Sequence, residues 1–168
     1  MALKMWITGL GVAAMLCAAF VRAEGTQEGA GDLPLAGETQ PLGFKTNEGS
    51  WLTLDASPDG KTLIFDLLGD LYVLPVEGGV AKRLTAGLGY DSQPVFSPSG
   101  ERIAFISDRD GATNLWVANA DGSSPLKISK ERQSGLISPA WSSDGNYLFV
   151  TRVGRDTVLV MYHVDGGS

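Results

Sequence analysis

From residue 51 onward the chain alternates short apolar runs with turn-forming tetrapeptides, and the alternation returns three times. Leu63-Ile64-Phe65, Ile103-Ala104-Phe105-Ile106 and Leu148-Phe149-Val150 each lie shortly after a tetrapeptide: Ser57-Pro58-Asp59-Gly60, Ser97-Pro98-Ser99-Gly100 and Ser142-Ser143-Asp144-Gly145. Such a tetrapeptide is a tight turn, because proline fixes φ, aspartate or serine bonds the nearby backbone, and glycine takes the positive φ. A run apolar at consecutive positions predicts a strand covered on both faces. The pattern predicts first strands over 51–56, 93–96 and 138–141, central strands over 62–66, 102–107 and 147–152, third strands over 70–76, 114–119 and 157–163, and short edge strands over 81–84 and 126–129.

The tetrapeptides are 40 and 45 residues apart. Asp70-Leu71-Tyr72-Val73, Asn114-Leu115-Trp116-Val117 and Val158-Leu159-Val160-Met161 follow one another at steps of 44, as do Glu77-Gly78-Gly79, Asp121-Gly122-Ser123 and Asp165-Gly166-Gly167. Arg83-Leu84-Thr85 is echoed by Lys127-Ile128-Ser129. Independent markers with one period of about 40–45 residues and short strands predict β-propeller blades. A β-sandwich offers no reason for repeated motifs. The expected fold is therefore all-β: about three four-stranded antiparallel blades, over roughly 48–89, 90–133 and 134–168, forming an incomplete propeller.

The N-terminal segments read differently. Lys4 precedes a mostly apolar run, and Val21 and Ala23 place small or short side chains at the −3 and −1 positions of a cleavage site. Residues 1–23 are expected to be a signal peptide cut after Ala23, giving a periplasmic or secreted bacterial protein with no stable membrane span after cleavage. The uncharged run is shorter than the roughly 20 residues a bilayer needs, and Leu16 before Cys17 is a poor lipid-attachment site. Residues 24–43 carry Gly, Glu and Pro with no apolar period and read as a flexible N-terminal arm ahead of a propeller segment over 44–168.

Composition narrows the chemistry. The chain has 168 residues, 13 basic and 19 acidic side chains, one histidine and one cysteine. Losing Lys4, Arg22 and Cys17 leaves 11 basic against 19 acidic side chains and no thiol, which suits an oxidising compartment. An acidic chain with scattered lysines and arginines has no nucleic-acid footprint.

The stretch from Ser97 to Val117, with Ile103-Ala104-Phe105, Ser107-Asp108-Arg109-Asp110-Gly111 and Asn114-Leu115-Trp116-Val117, resembles the blade repeat of TolB-like periplasmic propellers. A narrower likeness runs from Glu48-Gly49-Ser50-Trp51 through Phe65 to Tyr72 and on to Arg83-Leu84-Thr85. It is similar to the opening blade of secreted bacterial proteins in which such a propeller precedes an amidohydrolase domain. That resemblance implies a metal-binding barrel downstream, so any divalent metal belongs there, and it transfers no catalytic residue to this chain. No cofactor is expected within the chain itself.

Candidate chemistry in these residues is sparse. His163 is the single imidazole and reads as a partly exposed strand residue; two-histidine metal hydrolysis needs another. No Gly-x-Ser-x-Gly elbow occurs. A calcium loop starting at Asp108 fails at Ala112 and at Asn119, where glutamate is needed, and Arg109 sits two residues after Ser107, where an Asp-box needs aspartate. Asp108, Arg109 and Asp110, with Asp66 and Asp70 in the equivalent hairpin of the first repeat, read as a polar hairpin rim and as a possible interaction surface. Ser57, Pro58, Asp59, Gly60, Ser97, Pro98, Gly100, Asp144 and Gly145 read as structural turn residues. Trp51, Trp116, Trp141, Tyr72 and Tyr90 read first as blade packing and second as a binding face.

Closed propellers typically have about 4–8 blades. Three blades are expected either to be part of a longer chain or to assemble with further copies. The function expected is a noncatalytic segment for protein interaction or substrate gating, with a protein partner or a downstream catalytic domain. The alternatives are the N-terminal part of an amidohydrolase-type hydrolase and a TolB-like envelope transport protein.

Overall fold

The computed structural model describes residues 43–132 and 134–166. The expected signal peptide and nearly all of the expected arm lie outside the described residues.

The described residues form eleven strands in three antiparallel sheets. Blade 1 contains β1 (Leu54–Ala56), β2 (Thr62–Leu67), β3 (Asp70–Pro75) and β4 (Lys82–Arg83) in that spatial order. Blade 2 repeats it with β5 (Asp91–Phe96), β6 (Arg102–Ser107), β7 (Asn114–Asn119) and β8 (Leu126–Lys127). Blade 3 has β9 (Gly135–Trp141), β10 (Tyr147–Val153) and β11 (Thr157–His163). Each blade is a meander in which sequence neighbours pair, as short connections require. This is the all-β blade architecture the repeat predicts.

The turns work as their residues dictate. In blade 1 the Gly60 N–H donates to the Ser57 carbonyl, the Ser57 hydroxyl to Asp59, and the Thr62 N–H to Ser57 Oγ. Gly60, Gly100 and Gly145 hold φ of 69°, 74° and 72°, the left-handed region glycine occupies without strain. The Arg83-Leu84-Thr85 marker also has a physical role. The Thr85 hydroxyl accepts the Leu71 N–H, and the Ser129 hydroxyl accepts the Leu115 N–H, 44 residues on. A hydroxyl thus takes over the ladder where the edge strand stops after two residues.

Two apolar layers join the blades. Ile64 and Leu71 pack on Ile103, Phe105, Trp116 and Ala118, and Ala104, Ile106, Leu115 and Val117 pack on Leu136, Leu148, Val150 and Tyr162. The backbone of blade 1 approaches that of blade 2 most closely at β5, and the backbone of blade 2 approaches that of blade 3 at β9; among the described residues the strands of blades 1 and 3 do not approach one another. The stack is an open arc.

Two local expectations need correction. The first strand of blade 1 begins at Leu54, not at 51. Trp51 sits at φ 61°, and the Asp66 carboxylate captures the Thr53 N–H, which ends regular pairing there. Trp51 is consequently 99% exposed and packs no blade, whereas Trp116 is 7% exposed and does.

Candidate functional site

The β2–β3 and β6–β7 hairpins present the five residues of the expected rim at one end of blades 1 and 2. Asp66 is buried; it accepts the Thr53 N–H at 2.9 Å, the Thr53 hydroxyl, and the Gln93 N–H of blade 2 at 2.8 Å. Asp70 pairs with Arg83 at 2.7 Å. Burial pushes the Asp70 carboxyl above its ordinary range, against the pull of Arg83. Asp108 accepts the Tyr90 N–H at 2.7 Å. Burial also acts upward on Asp110, but the Lys127 ammonium and the Asn114 amide outweigh it and hold the carboxyl below its usual range.

Arg109 is the centre of the blade 2 hairpin. Its guanidinium meets Asp91 at 2.6 Å, its Nε donates to the Ser107 hydroxyl, and its Cζ lies 5.1 Å from the Phe105 ring centroid and 5.2 Å from that of Trp116. The planar cation is held by one carboxylate and two aromatic faces, a geometry lysine cannot reproduce. Asp91 is 2% exposed, and its Oδ1 has no partner among the described residues. The rim residues therefore fall into separate small networks, and each of the five already bonds to the protein.

A second set of polar contacts ties blade to blade, and apart from Asp66 and Trp141 its members lay outside the sequence-based candidates. The innermost strands β5 and β9 each carry a bulge, with Gln93 at φ 54° and Ser138 at φ 56°, both just before a proline. The turned-out N–H of Gln93 donates to Asp66 Oδ2 of blade 1, and that of Ser138 donates to Gln93 Oε1 of blade 2. Asp55 likewise accepts the Phe96 N–H, and the Trp141 indole donates to the Val95 carbonyl. Left-handed φ at a non-glycine residue before proline is costly and persists only where the surroundings fix it. The legible signal was Gln93-Pro94 and Ser138-Pro139 at the repeat spacing of 45.

Beside the rim lies an open cleft of about 800 Å³ whose lining includes Phe44, Glu48, Trp51, Leu68 and Tyr90. Phe44, Leu68 and Tyr90 are more than half exposed, as is Trp51. This is an aromatic surface with two carboxylates, Glu48 and the already bonded Asp66, suited to apolar contact rather than bond-breaking. Among the described residues no group of three or more His, Cys, Asp or Glu side chains could hold a metal ion. His163 stands alone on β11, edge-on to Tyr147 and accepting the Asp165 N–H. No helix among the described residues is long and apolar enough to cross a membrane.

Comparison with known proteins locates the chain. The model of the TolB beta propeller domain family matches residues 45–168. An uncharacterized protein of Agrobacterium fabrum is 37% identical over 100 residues, covering 57% of this chain and 33% of that one. Tricorn protease homolog 1 of Streptomyces coelicolor is 29% identical over 98 residues, 58% of this chain and 9% of its own length. A solved structure assigned to TolB from Agrobacterium tumefaciens superposes with a TM-score of 0.64 at 27% identity, over 73% of this chain and 49% of that one. The chain thus spans about a third or less of the length of these two curated relatives.

Proposed function

The chain belongs to the TolB β-propeller domain family, and from that premise we propose that it is a noncatalytic interaction or substrate-gating segment that serves a catalytic domain or a protein partner. The observation that carries this reading is the exposed aromatic cleft around Trp51. Exposed apolar patches bordered by polar residues mark interaction surfaces, and Trp and Tyr are enriched where binding energy concentrates. In this reading Trp51 and Tyr90 anchor the partner, and Asp66, Asp70, Asp108, Arg109 and Asp110 hold the hairpins that frame the cleft.

The nature of the partner follows from two supports. The match to a small part of a tricorn protease homolog favours a propeller working beside a hydrolytic domain. The run from Glu48 to Thr85 favours an amidohydrolase-type domain, which would hold the divalent metal the described residues have no cluster to bind. Export after cleavage at Ala23 would place the protein in the periplasm or outside the cell. The solved TolB-assigned structure supports the second reading, an envelope transport role.

The test is a photoreactive amino acid at Leu68, which is 73% exposed at the cleft edge, in the exported chain. The expected result is one discrete covalent adduct, reduced about tenfold or more by Trp51→Ala, the size of a single anchor's loss. No adduct, or an adduct indifferent to Trp51→Ala, would reject the interaction reading. An adduct with a metal-dependent hydrolase favours the first partner, and one with an envelope lipoprotein the second.

A further inference from the structure

The cleft beside the rim has a charge as well as an apolar character. Its ionisable lining groups, apart from the Tyr90 phenol, are the carboxylates of Glu48 and Asp66, and no lysine or arginine lines it. Asp66 is already engaged by the Thr53 and Gln93 N–H groups and the Thr53 hydroxyl. Glu48 is exposed, and its carboxylate has no hydrogen-bond or ion-pair partner among the described residues. Its backbone is fixed instead: the N–H donates to Thr46 Oγ1 at 3.1 Å, and the carbonyl accepts the Thr46 hydroxyl at 2.7 Å. Two cations of neighbouring segments do not offset this carboxylate. Lys45 stands between Phe44 and Thr46 without lining the cleft, and Arg109 is closed onto Asp91 at 2.6 Å.

The aromatic walls stand on a backbone that is already placed. The left-handed φ of Trp51 and the Asp66–Thr53 bonds turn its indole out of β1. Leu52 closes on Gly49, where an added Cβ would lie 3.0 Å from Leu52 Cδ1, so the loop from Glu48 to Trp51 is compact. The Tyr90 N–H is held by Asp108, and its ring lies against Gly69, where a Cβ would come within 3.1 Å of it. A surface organised before binding loses less freedom when a partner arrives. The same chain also shows what an acid beside aromatic rings can hold. The Arg109 guanidinium pairs with Asp91 and lies over Phe105 and Trp116, and Arg102 lies with its Cζ 5.3 Å from the Trp141 ring centroid. A guanidinium suits such a place because its plane stacks on a ring while its N–H groups reach a carboxylate. In the cleft the acid is Glu48 and the rings are Trp51 and Tyr90, and among the described residues no arginine meets them.

We propose that the cleft takes an arginine-bearing segment of a partner protein, with the guanidinium on Trp51 and Glu48 and the apolar side chains flanking it on Phe44, Leu68 and Tyr90. Charge complementarity is what selects this occupant: the cleft offers carboxylate and no cation, and the chain as a whole, with 19 acidic against 13 basic side chains, draws a basic segment toward it. The inference rests on the reading of the cleft as an interaction site and adds the chemistry of what enters it.

The experiment is fluorescence anisotropy on the full chain purified after export, with two labelled peptides: Ser-Leu-Arg-Leu-Ser and the same sequence with citrulline, the neutral isostere of arginine. The arginine peptide should bind at least about tenfold more tightly, the size of one charge-assisted contact. Trp51→Ala should weaken it by about tenfold or more. Glu48→Gln should bring the two peptides to within about twofold of each other, and Glu48→Asp, which keeps the charge, should retain part of the preference. Circular dichroism melts that match the parent show that the variants are folded, as the exposure of both positions leads one to expect. Equal binding of the two peptides, binding of neither, or a preference that survives Glu48→Gln overturns the proposal. The adduct at Leu68 separates this outcome from the interaction reading. An adduct that needs Trp51 but is indifferent to Glu48→Gln overturns the arginine and leaves that reading standing. An arginine preference in solution with no adduct in the exported chain rejects that reading and keeps the guanidinium site.

Discussion

Blade 2 and blade 3 share one sequence pattern and differ in what surrounds them. Five of the six residues of β7 are buried, whereas in β11, its counterpart 44 residues on, Tyr162 alone is. Both strands are apolar along much of their length, so the difference is assigned by place in the stack rather than by residue type. A blade is an element that cannot finish its own core, and each apolar face is worth what its neighbour makes of it. The sharpest way to break this comparison is to cut equivalent side chains. Phe105→Ala removes a fully buried ring from the blade 1–2 layer and should cost about 3–5 kcal/mol of unfolding free energy. Leu159→Ala, at a position 72% exposed, should stay within about 0.5 kcal/mol. Urea unfolding followed by tryptophan fluorescence measures both, and equal losses would refute the distinction.

The ion pairs of the first two hairpins divide in the same way. Asp91–Arg109 is closed off, with side chains 2% and 16% exposed, and Asp70–Arg83 is open on the arginine side at 49%. Removing one member of a buried pair strands the other charge, so Arg109→Ala should cost about 3–5 kcal/mol. Arg83→Ala should cost no more than about 1 kcal/mol, because water screens its pair. Arg109→Lys sharpens the point: it keeps the charge but loses the fork and the stacking on Phe105 and Trp116, so it should rescue only part of the loss. The same urea titrations rank the three variants, and equal costs for Arg109→Ala and Arg83→Ala would erase the difference between the two pairs.

Much of this was legible because repetition amplifies a weak signal. Ser57, Ser97 and Ser142 each begin a turn whose chemistry is local, and three copies at a steady spacing reveal a blade without knowledge of its neighbours. Local chemistry also set the central strands correctly to within a residue. What escaped was everything fixed across blades. Gln93 and Ser138 take left-handed φ because a side chain of the preceding blade waits for their N–H groups, and no propensity encodes that. Trp51 reads as a packing residue by type and by its place near a strand, yet the Asp66–Thr53 bonds end the strand early and leave it in solvent. The rim acids were visible as charges in hairpins, but their pairing with Arg83, Lys127 and the Tyr90 backbone depends on which hairpin meets which edge.

The blade 2–3 junction also carries a pH signature, through a buried phenol. The Tyr162 hydroxyl donates to Glu131 at 2.8 Å, and burial first, then this bond, pushes its pKa from 10.0 up to about 12. A raised pKa means that folding favours the neutral phenol. The contribution is complete below pH 10 and is lost as pH rises toward about 12. Tyr162→Phe should remove roughly 1 kcal/mol at neutral pH and flatten this alkaline decline. Thermal melts across that range, with tyrosinate absorbance as the site reporter, check it; an unchanged decline in the variant would place its origin elsewhere.

The smallest effect separates the three turns themselves. In blades 1 and 3 a serine hydroxyl donates to an aspartate two residues on, Ser57 to Asp59 and Ser142 to Asp144, and these bonds lead the causes that hold both carboxyls below the ordinary 3.8. A lowered pKa contributes stability present above the unfolded value and lost as pH falls through the folded one. In blade 2 the partner is Ser99, which does not titrate, and the hydroxyls of Ser97 and Ser99 face each other at 3.2 Å. Carboxyl NMR titration should therefore show Asp59 and Asp144 titrating low. Ser57→Ala should move Asp59 upward and leave Asp144 in place, and Ser142→Ala should do the reverse. All three turns have nearly the same glycine φ and the same carbonyl bond, so the blade 2 turn, with no carboxylate, should hold its geometry through the acid range in which the other two loosen. Equal acid sensitivity at Gly60, Gly100 and Gly145 amides would show that the backbone, and not the carboxylate, governs these turns.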